Sequence, residues 1–246
     1  MLRQIAELDD IDDYQIEEFF TSIAESMPDV ILALLMDRIE RSEASGPRAL
    51  AGRGMPFQWR GSLTPQGAVQ KLQLLQTVWD WMARSPQSFL RQHDGARLWW
   101  LIAGGSGGDA MDFMASRFGG SAGDFQIMGN ILKELPRDFT RNNVDFVDRA
   151  LVAADREGKD SLRRIVDGLF GSIISGMRSR AIGVADPEDI EERDAFVRIA
   201  KQFSSNSPTR RFYESMAENA QLEIARHAHD DAALLDNKDW LGSGGR

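Results

Sequence analysis

The residues best placed by type and spacing to do chemistry lie at Leu98-Trp99-Trp100-Leu101-Ile102-Ala103, followed by Gly104-Gly105-Ser106-Gly107-Gly108. This contains G-x-S-x-G, the nucleophile-elbow pattern, in which small neighbours let a serine hydroxyl sit on a strained turn near a histidine base and an oxyanion pocket. His227 and His229 come later in the chain, the order that such a triad needs. The chemistry requires an apolar strand before Ser106 and a helix after it, within a sheet of many strands. Only one candidate strand is found, and a Gly-rich turn after a buried helix explains the same residues. A serine hydrolase acting through Ser106 with His227 or His229 is therefore the alternative reading, not the leading one. The same stretch also spells Gly105-Ser106-Gly107-Gly108-Asp109-Ala110, a G-x-G-x-x-A dinucleotide fingerprint. That motif needs a second strand ending in an acid, and the residues that follow, Gln126 to Leu135, read as helix. No G-x-x-x-x-G-K-[ST] phosphate loop is present.

His227-Ala228-His229-Asp230-Asp231 has the residue types of a metal cluster. Side chains at i and i+2 on a helix point about 200° apart, so they cannot share one ion unless the helix ends there. His93, in Arg91-Gln92-His93-Asp94-Gly95, reads as a turn residue. Trp79, Trp81, Trp99 and Trp100 have the chemistry of a ligand groove; Trp79, at helical spacing with Leu75 and Met82, reads as core. Each neighbouring pair points in different directions, so one member of each is expected to be half-exposed. No residue set is assigned as catalytic, cofactor-binding or metal-ligating.

Composition narrows the classes further. The 246 residues carry no Cys, which excludes disulfides, a catalytic thiol and Cys-ligated metal sites, and the formal net charge is −9. Residues 1–30 hold nine acids against one base, while the remainder, with 28 bases and 29 acids, is near neutral. That balance argues against general nucleic-acid binding, which needs a basic stripe. The pairs Arg163-Arg164, Arg178/Arg180 and Arg210-Arg211 read as solvated faces. The longest apolar run, Val30 to Met36, is too short to span a bilayer, and the N-terminus lacks a signal-peptide layout. A cytoplasmic protein with no membrane partner is expected.

The elements that would position these residues are helical. Pro fits the first turn of a helix, where its missing N–H costs nothing, with Ser, Thr or Asp as the preceding cap. Thr64-Pro65, Ser85-Pro86, Asp186-Pro187 and Ser207-Pro208 show that pattern, and Pro28 opens a further apolar stretch after Ser26. Pro136 instead follows a helix that should stop near Leu135. Pro65 to Pro86 and Pro187 to Pro208 are both 21 residues apart, the length of one helix plus a connection.

Apolar residues recur at steps of three and four in 28–44, 65–83, 144–154, 160–178 and 207–235. In 65–83 the stripe is Val69, Leu72, Leu75, Val78, Trp79 and Met82. Asp160 reads as a cap and Gly158 as a helix stop. Tyr14 to Ser26 reads as a helix with the acids of 9–13 at its positive end. Residues 95–130 hold nine of the 22 Gly and are expected to form short helices, at Asp109 to Phe118 and Asp124 to Leu135.

These spacings predict an all-α fold, a HEAT-like α-solenoid of stacked antiparallel hairpins, with a globular helical bundle as the alternative. The expected organisation is an acidic lead-in and first helices (1–45), a Gly/Pro loop that packs through Phe57 and Trp59 (46–63), a main helical-repeat region (64–236) and a disordered tail (237–246). Two stretches carry a resemblance. Pro28-Asp29-Val30-Ile31-Leu32-Ala33-Leu34-Leu35-Met36-Asp37-Arg38-Ile39-Glu40 is similar to units of HEAT-like helical-repeat proteins. Ser207-Pro208-Thr209-Arg210-Arg211-Phe212-Tyr213-Glu214-Ser215-Met216, after Asp186-Pro187 and Glu192-Arg193-Asp194, resembles C-terminal helical regions of large bacterial multidomain proteins. Its motifs are loose and extend over most of 12–236. The resemblance implies a scaffold or sensing surface, supplies no catalytic residues, and raises the chain as the detached tail of a larger ancestor. The expected function is non-enzymatic: a scaffold module that binds another protein and needs no cofactor. A third expectation is a regulatory or immunity-type partner that meets a basic surface through its acidic N-terminal segment.

Overall fold

The computed structural model describes residues 14–45, 61–105, 107–174 and 187–242, the last of these as backbone alone from 227 onward. All regular structure among the described residues is helical, and no strand occurs there. The helices are α1 (Tyr14–Ala24), α2 (Pro28–Ser45), α3 (Ala68–Ala83), α4 (Phe89–Ala103), α5 (Gly108–Ala115), α6 (Ala122–Leu132), α7 (Phe139–Asn142), α8 (Val144–Glu157), α9 (Lys159–Ile174), α10 (Pro187–Ala200) and α11 (Pro208–Gly242). The all-α reading holds. Acids 9–13, the 46–60 part of the Gly/Pro loop with Phe57 and Trp59, Asp186 and residues 243–246 of the tail lie outside the described residues, while 237–242, expected to be disordered, continue helix α11.

Pro28, Pro187 and Pro208 each open a helix, and Ser207 caps α11 by accepting the Arg210 N–H at 3.0 Å. Pro65 and Pro86 do not. Ser85-Pro86-Gln87-Ser88 is a hydrogen-bonded turn, Ser88 N–H to the Ser85 carbonyl at 3.1 Å. Pro86 sits at its second position, where a fixed φ suits a turn as well as a helix start. The cap passes to Ser88, whose hydroxyl accepts the Arg91 N–H at 3.1 Å. Pro65 is buried, and α3 begins only after Gly67. Ser26 donates back to the Ile23 carbonyl, and Asp160 lies inside the first turn of α9 rather than capping it. Gly158, at φ +148°, does end α8. Gly104, Gly105 and Gly107 separate α4 from the short helix α5, and Gly119 and Gly120 separate α5 from α6, as expected, whereas Gly95, Gly123 and Gly129 lie within helices.

The chain forms two compact units. The first comprises residues 1–136 and 153–172. Within it α1 packs on α2, and α4 packs on α2, α3 and α6, while α3 also meets α5 and α6. That leaves α4 buried along most of its length: Gln92, Asp94, Gly95, Ala96, Leu98, Trp99, Ile102 and Ala103 are all removed from solvent. A Cβ at Gly95 would come within 2.7 Å of Met82 on α3. At the crossing of α6 and α9 the two backbones touch. A Cβ at Gly129 would lie 2.6 Å from the Arg164 carbonyl oxygen, and one at Gly168 would fall on the carbonyl of Gly129.

The end of α4 is fixed from outside its own helix. Gly104 takes the left-handed conformation (φ +66°), which stops the helix and leaves its last carbonyls without helical donors. The Leu101 carbonyl is met by the Leu63 N–H at 3.2 Å and the Thr64 hydroxyl at 3.1 Å. Leu63 is wholly buried there.

The second unit comprises residues 137–152 and 173–246. Its main pairing is α10 against α11. Phe196, Phe212 and Tyr213 are buried, and the Tyr213 hydroxyl donates to the Thr140 carbonyl at 2.6 Å. Burial, reinforced by the charge of Asp148, pushes the Tyr213 phenol above its ordinary pKa. Arg137 pairs with the carboxylate of Glu192, which is itself almost fully buried.

Candidate functional site

An open groove of about 830 Å³ runs along the first unit between α3 and α5, lined chiefly by Val69, Leu72, Asp109, Asp112, Phe113 and Arg117. Its origin is a mismatch of lengths. Helix α3 has 16 residues and α5 only 8, so α5 covers part of the flank of α3 and no more. Val69 is 72% exposed and Leu72 41% exposed, although both are large and apolar.

The sequence placed both in the core stripe of α3, and the structure corrects this. Buried positions on α3 are Leu74, Leu75, Val78, Trp79, Trp81 and Met82. At 3.6 residues per turn each step of three falls short of a full turn by about 60°. The series 69, 72, 75, 78 therefore winds half-way round the helix, carrying Val69 to the side opposite Val78.

The base of the groove is aromatic and tied together by polar links. Phe113 meets Trp79 edge-on, with centroids 5.7 Å apart, and Trp99 at 6.1 Å. The Arg117 guanidinium lies 5.6 Å from the Trp79 ring and 5.0 Å from that of Phe113, and donates to the side-chain oxygen of Gln76. The Trp79 indole N–H donates to Asp124 Oδ1 at 3.0 Å. Asp124 closes a capping box with Ser121 at the start of α6, accepting the Ser121 N–H at 2.8 Å and its hydroxyl at 2.9 Å. Partial burial works to raise the Asp124 pKa. The Ser121 N–H, the Trp79 indole, the Ser121 hydroxyl and the Arg117 charge together outweigh it and hold the carboxyl below its ordinary value.

Asp109 and Asp112 are exposed on α5, and their carboxylates have no hydrogen-bonding or ion-pair partner among the described residues. Asp109 lies in the first turn of its helix, where a carboxylate is favoured.

The residues singled out by type and spacing are not brought together here. Ser106 lies outside the described residues, but its preceding segment, Leu98 to Ala103, is the end of helix α4 rather than a strand. That removes the strand–turn–helix context on which both the elbow and the dinucleotide reading depend. His227 and His229 lie on α11, which runs on to Gly242, so the helix does not end between them; their side chains lie outside the described residues.

His93 is not in a turn. It is exposed on α4 and stacks on Phe89 with centroids 5.9 Å apart. Near it Glu134 is raised above its ordinary pKa by burial, against the opposing charges of His93 and Arg97 and with that of Asp94. Trp79 and Trp81 are both buried, contrary to the expectation that one of them is half-exposed, because each indole N–H has a partner: Asp124 for Trp79, Glu40 at 2.7 Å for Trp81. Trp99 is buried and Trp100 half-exposed, as expected.

No group of three or more His, Asp or Glu that could hold a metal ion occurs among the described residues. No helix among them is long and apolar enough to cross a membrane. The chain matches no known protein family, no curated protein and no solved structure.

Sequence reasoning missed the groove, Arg117 and Asp124. The signal for Asp124 was present: Ser121-Ala122-Gly123-Asp124 has the serine-to-acid spacing of a capping box.

Proposed function

We propose that this chain is a non-enzymatic protein-interaction module, a cytoplasmic scaffold whose docking site is the groove between α3 and α5. The observation that carries the reading is the exposure of Val69 and Leu72 beside Phe113, which packs edge-on against the buried Trp79. Exposed apolar side chains lining a groove give a partner helix a surface on which to lay its own apolar face. Leaving them partly in water forfeits a share of the about 1.5–3 kcal/mol that full burial of such a side chain contributes.

The architecture that supplies the site is a HEAT-like stack. In the first unit α4, the second helix of its pair, packs on α2 and α6, which are the second helices of the flanking pairs, while α3 packs on α5 and also reaches α6. Contacts of this alternating kind support stacked hairpins over a bundle with a single centre.

Affinity capture from the source cell with the intact chain and with Leu72→Asp tests the reading. Because Leu72 is exposed, the variant is expected to keep the helical circular dichroism spectrum and the Tm of the parent. A partner recovered by the parent and reduced at least tenfold with the variant is the expected result. Recovery that is the same for both, or a hydrolytic turnover with fluorophosphonate labelling lost in Ser106→Ala, would contradict it.

A further inference from the structure

Resting on that reading of the groove, we infer that its occupant is a cationic amphipathic helix: a partner segment with an apolar stripe flanked by Lys or Arg. The apolar anchors, Val69 and Leu72, stand on one wall, and Asp109 and Asp112 stand on the other, one helical turn apart. Neither carboxylate is paired among the described residues. The cation in the groove does not neutralise them. Arg117 is spread over the Trp79 and Phe113 rings, donates to Gln76, and acts electrostatically on Asp124.

A neutral or acidic helix laid over Val69 and Leu72 would strip water from two carboxylates without returning a partner, which is unfavourable. A basic flank supplies that partner at each carboxylate and leaves the apolar stripe free to cover the aliphatic wall. Charge pairs at such a rim set selectivity and association rate more than total affinity.

The test is a displayed library of amphipathic helices with a fixed leucine stripe and polar positions randomised among Lys, Gln and Glu, selected on the full-length chain. Clones whose capture requires Leu72, scored against Leu72→Asp, are expected to be enriched in Lys over Glu by roughly three- to tenfold beside the stripe. The preference is expected to disappear on the Asp109→Asn/Asp112→Asn chain, with Leu72 dependence retained. It is also expected to fade in about 1 M salt, where charges more than about 3 Å apart are screened. Leu72-dependent clones with no Lys preference, or a preference that survives the double Asn substitution, would overturn the cationic assignment and leave the docking groove standing. Clones indifferent to Leu72→Asp would remove both. Self-association of the chain that Leu72→Asp abolishes would make a second copy the occupant and overturn the assignment equally.

Discussion

Trp79 and Trp99 pose the same problem for a helix and reach different solutions. Both indoles are buried against Phe113, yet Trp79 Nε1 donates to Asp124 and Trp99 Nε1 has no hydrogen-bond partner among the described residues. Replacing each by Phe removes similar apolar volume, so the difference isolates the polar link. Trp79→Phe is expected to cost about 1–2 kcal/mol more than Trp99→Phe by urea denaturation, because it strands an acceptor while the other relieves an orphaned donor. Asp124 also makes stability depend on pH. Its carboxyl is held below the ordinary value in the folded state, so its contribution is present above the unfolded pKa and is lost as pH falls through the folded one. Asp124→Asn is therefore expected to lower stability by about 1 kcal/mol at neutral pH, with the gap to the parent closing on acidification below the ordinary carboxylate range. A gap independent of pH, measured by denaturation across that range, would show that the charge contributes nothing. At this scale the sequence disclosed the core role of Trp79 but not its partner, 45 residues away. Periodicity reports which face is buried, and carries no information on what a polar atom on that face meets.

At the scale of elements, the helices were legible wherever a local signal had one meaning. Gly158 stops α8, and Pro187 and Pro208 open helices, because glycine and proline act on their own backbone. Ser85-Pro86 misled because the same residues also build a turn, and Thr64-Pro65 because a tertiary contact takes the Thr64 hydroxyl to the Leu101 carbonyl and buries Pro65 ahead of the helix. Val69 and Leu72 misled through arithmetic: steps of three without a compensating step of four drift round a helix. Two glycines test how close the elements lie. Gly168→Ala must push α9 away from the backbone of Gly129, an overpacking expected to cost about 1–3 kcal/mol and to lower Tm despite the better helix propensity of alanine. Gly104→Ala faces both a positive φ and the Thr64 hydroxyl, 2.5 Å from the new Cβ, and is expected to lose about 1–3 kcal/mol. Gly67, whose Cβ would meet nothing within 4 Å and whose φ is −97°, is the control; Gly67→Ala is expected to change stability by less than about 1 kcal/mol.

For the whole molecule, the amphipathic stripes specified an all-helical chain, and the structure divides it into two compact units, a partition that no composition change in the sequence marks. The division depends on contacts between distant segments, 1–136 with 153–172 and 137–152 with 173–246, and local patterns cannot register them. The groove was illegible for the same reason: it exists because an 8-residue helix lies beside a 16-residue one, a relation between elements rather than a property of either. The most direct measurement of its role is site-specific photocrosslinking in the source cell. A photoreactive side chain is placed at Leu72 in one chain and at Leu222, 66% exposed on the second unit, in another. The expected result is a discrete protein adduct from position 72 that Val69→Asp abolishes, with none of the same mass from position 222. An adduct from 222 with none from 72, or no adduct from either, would contradict docking in the groove.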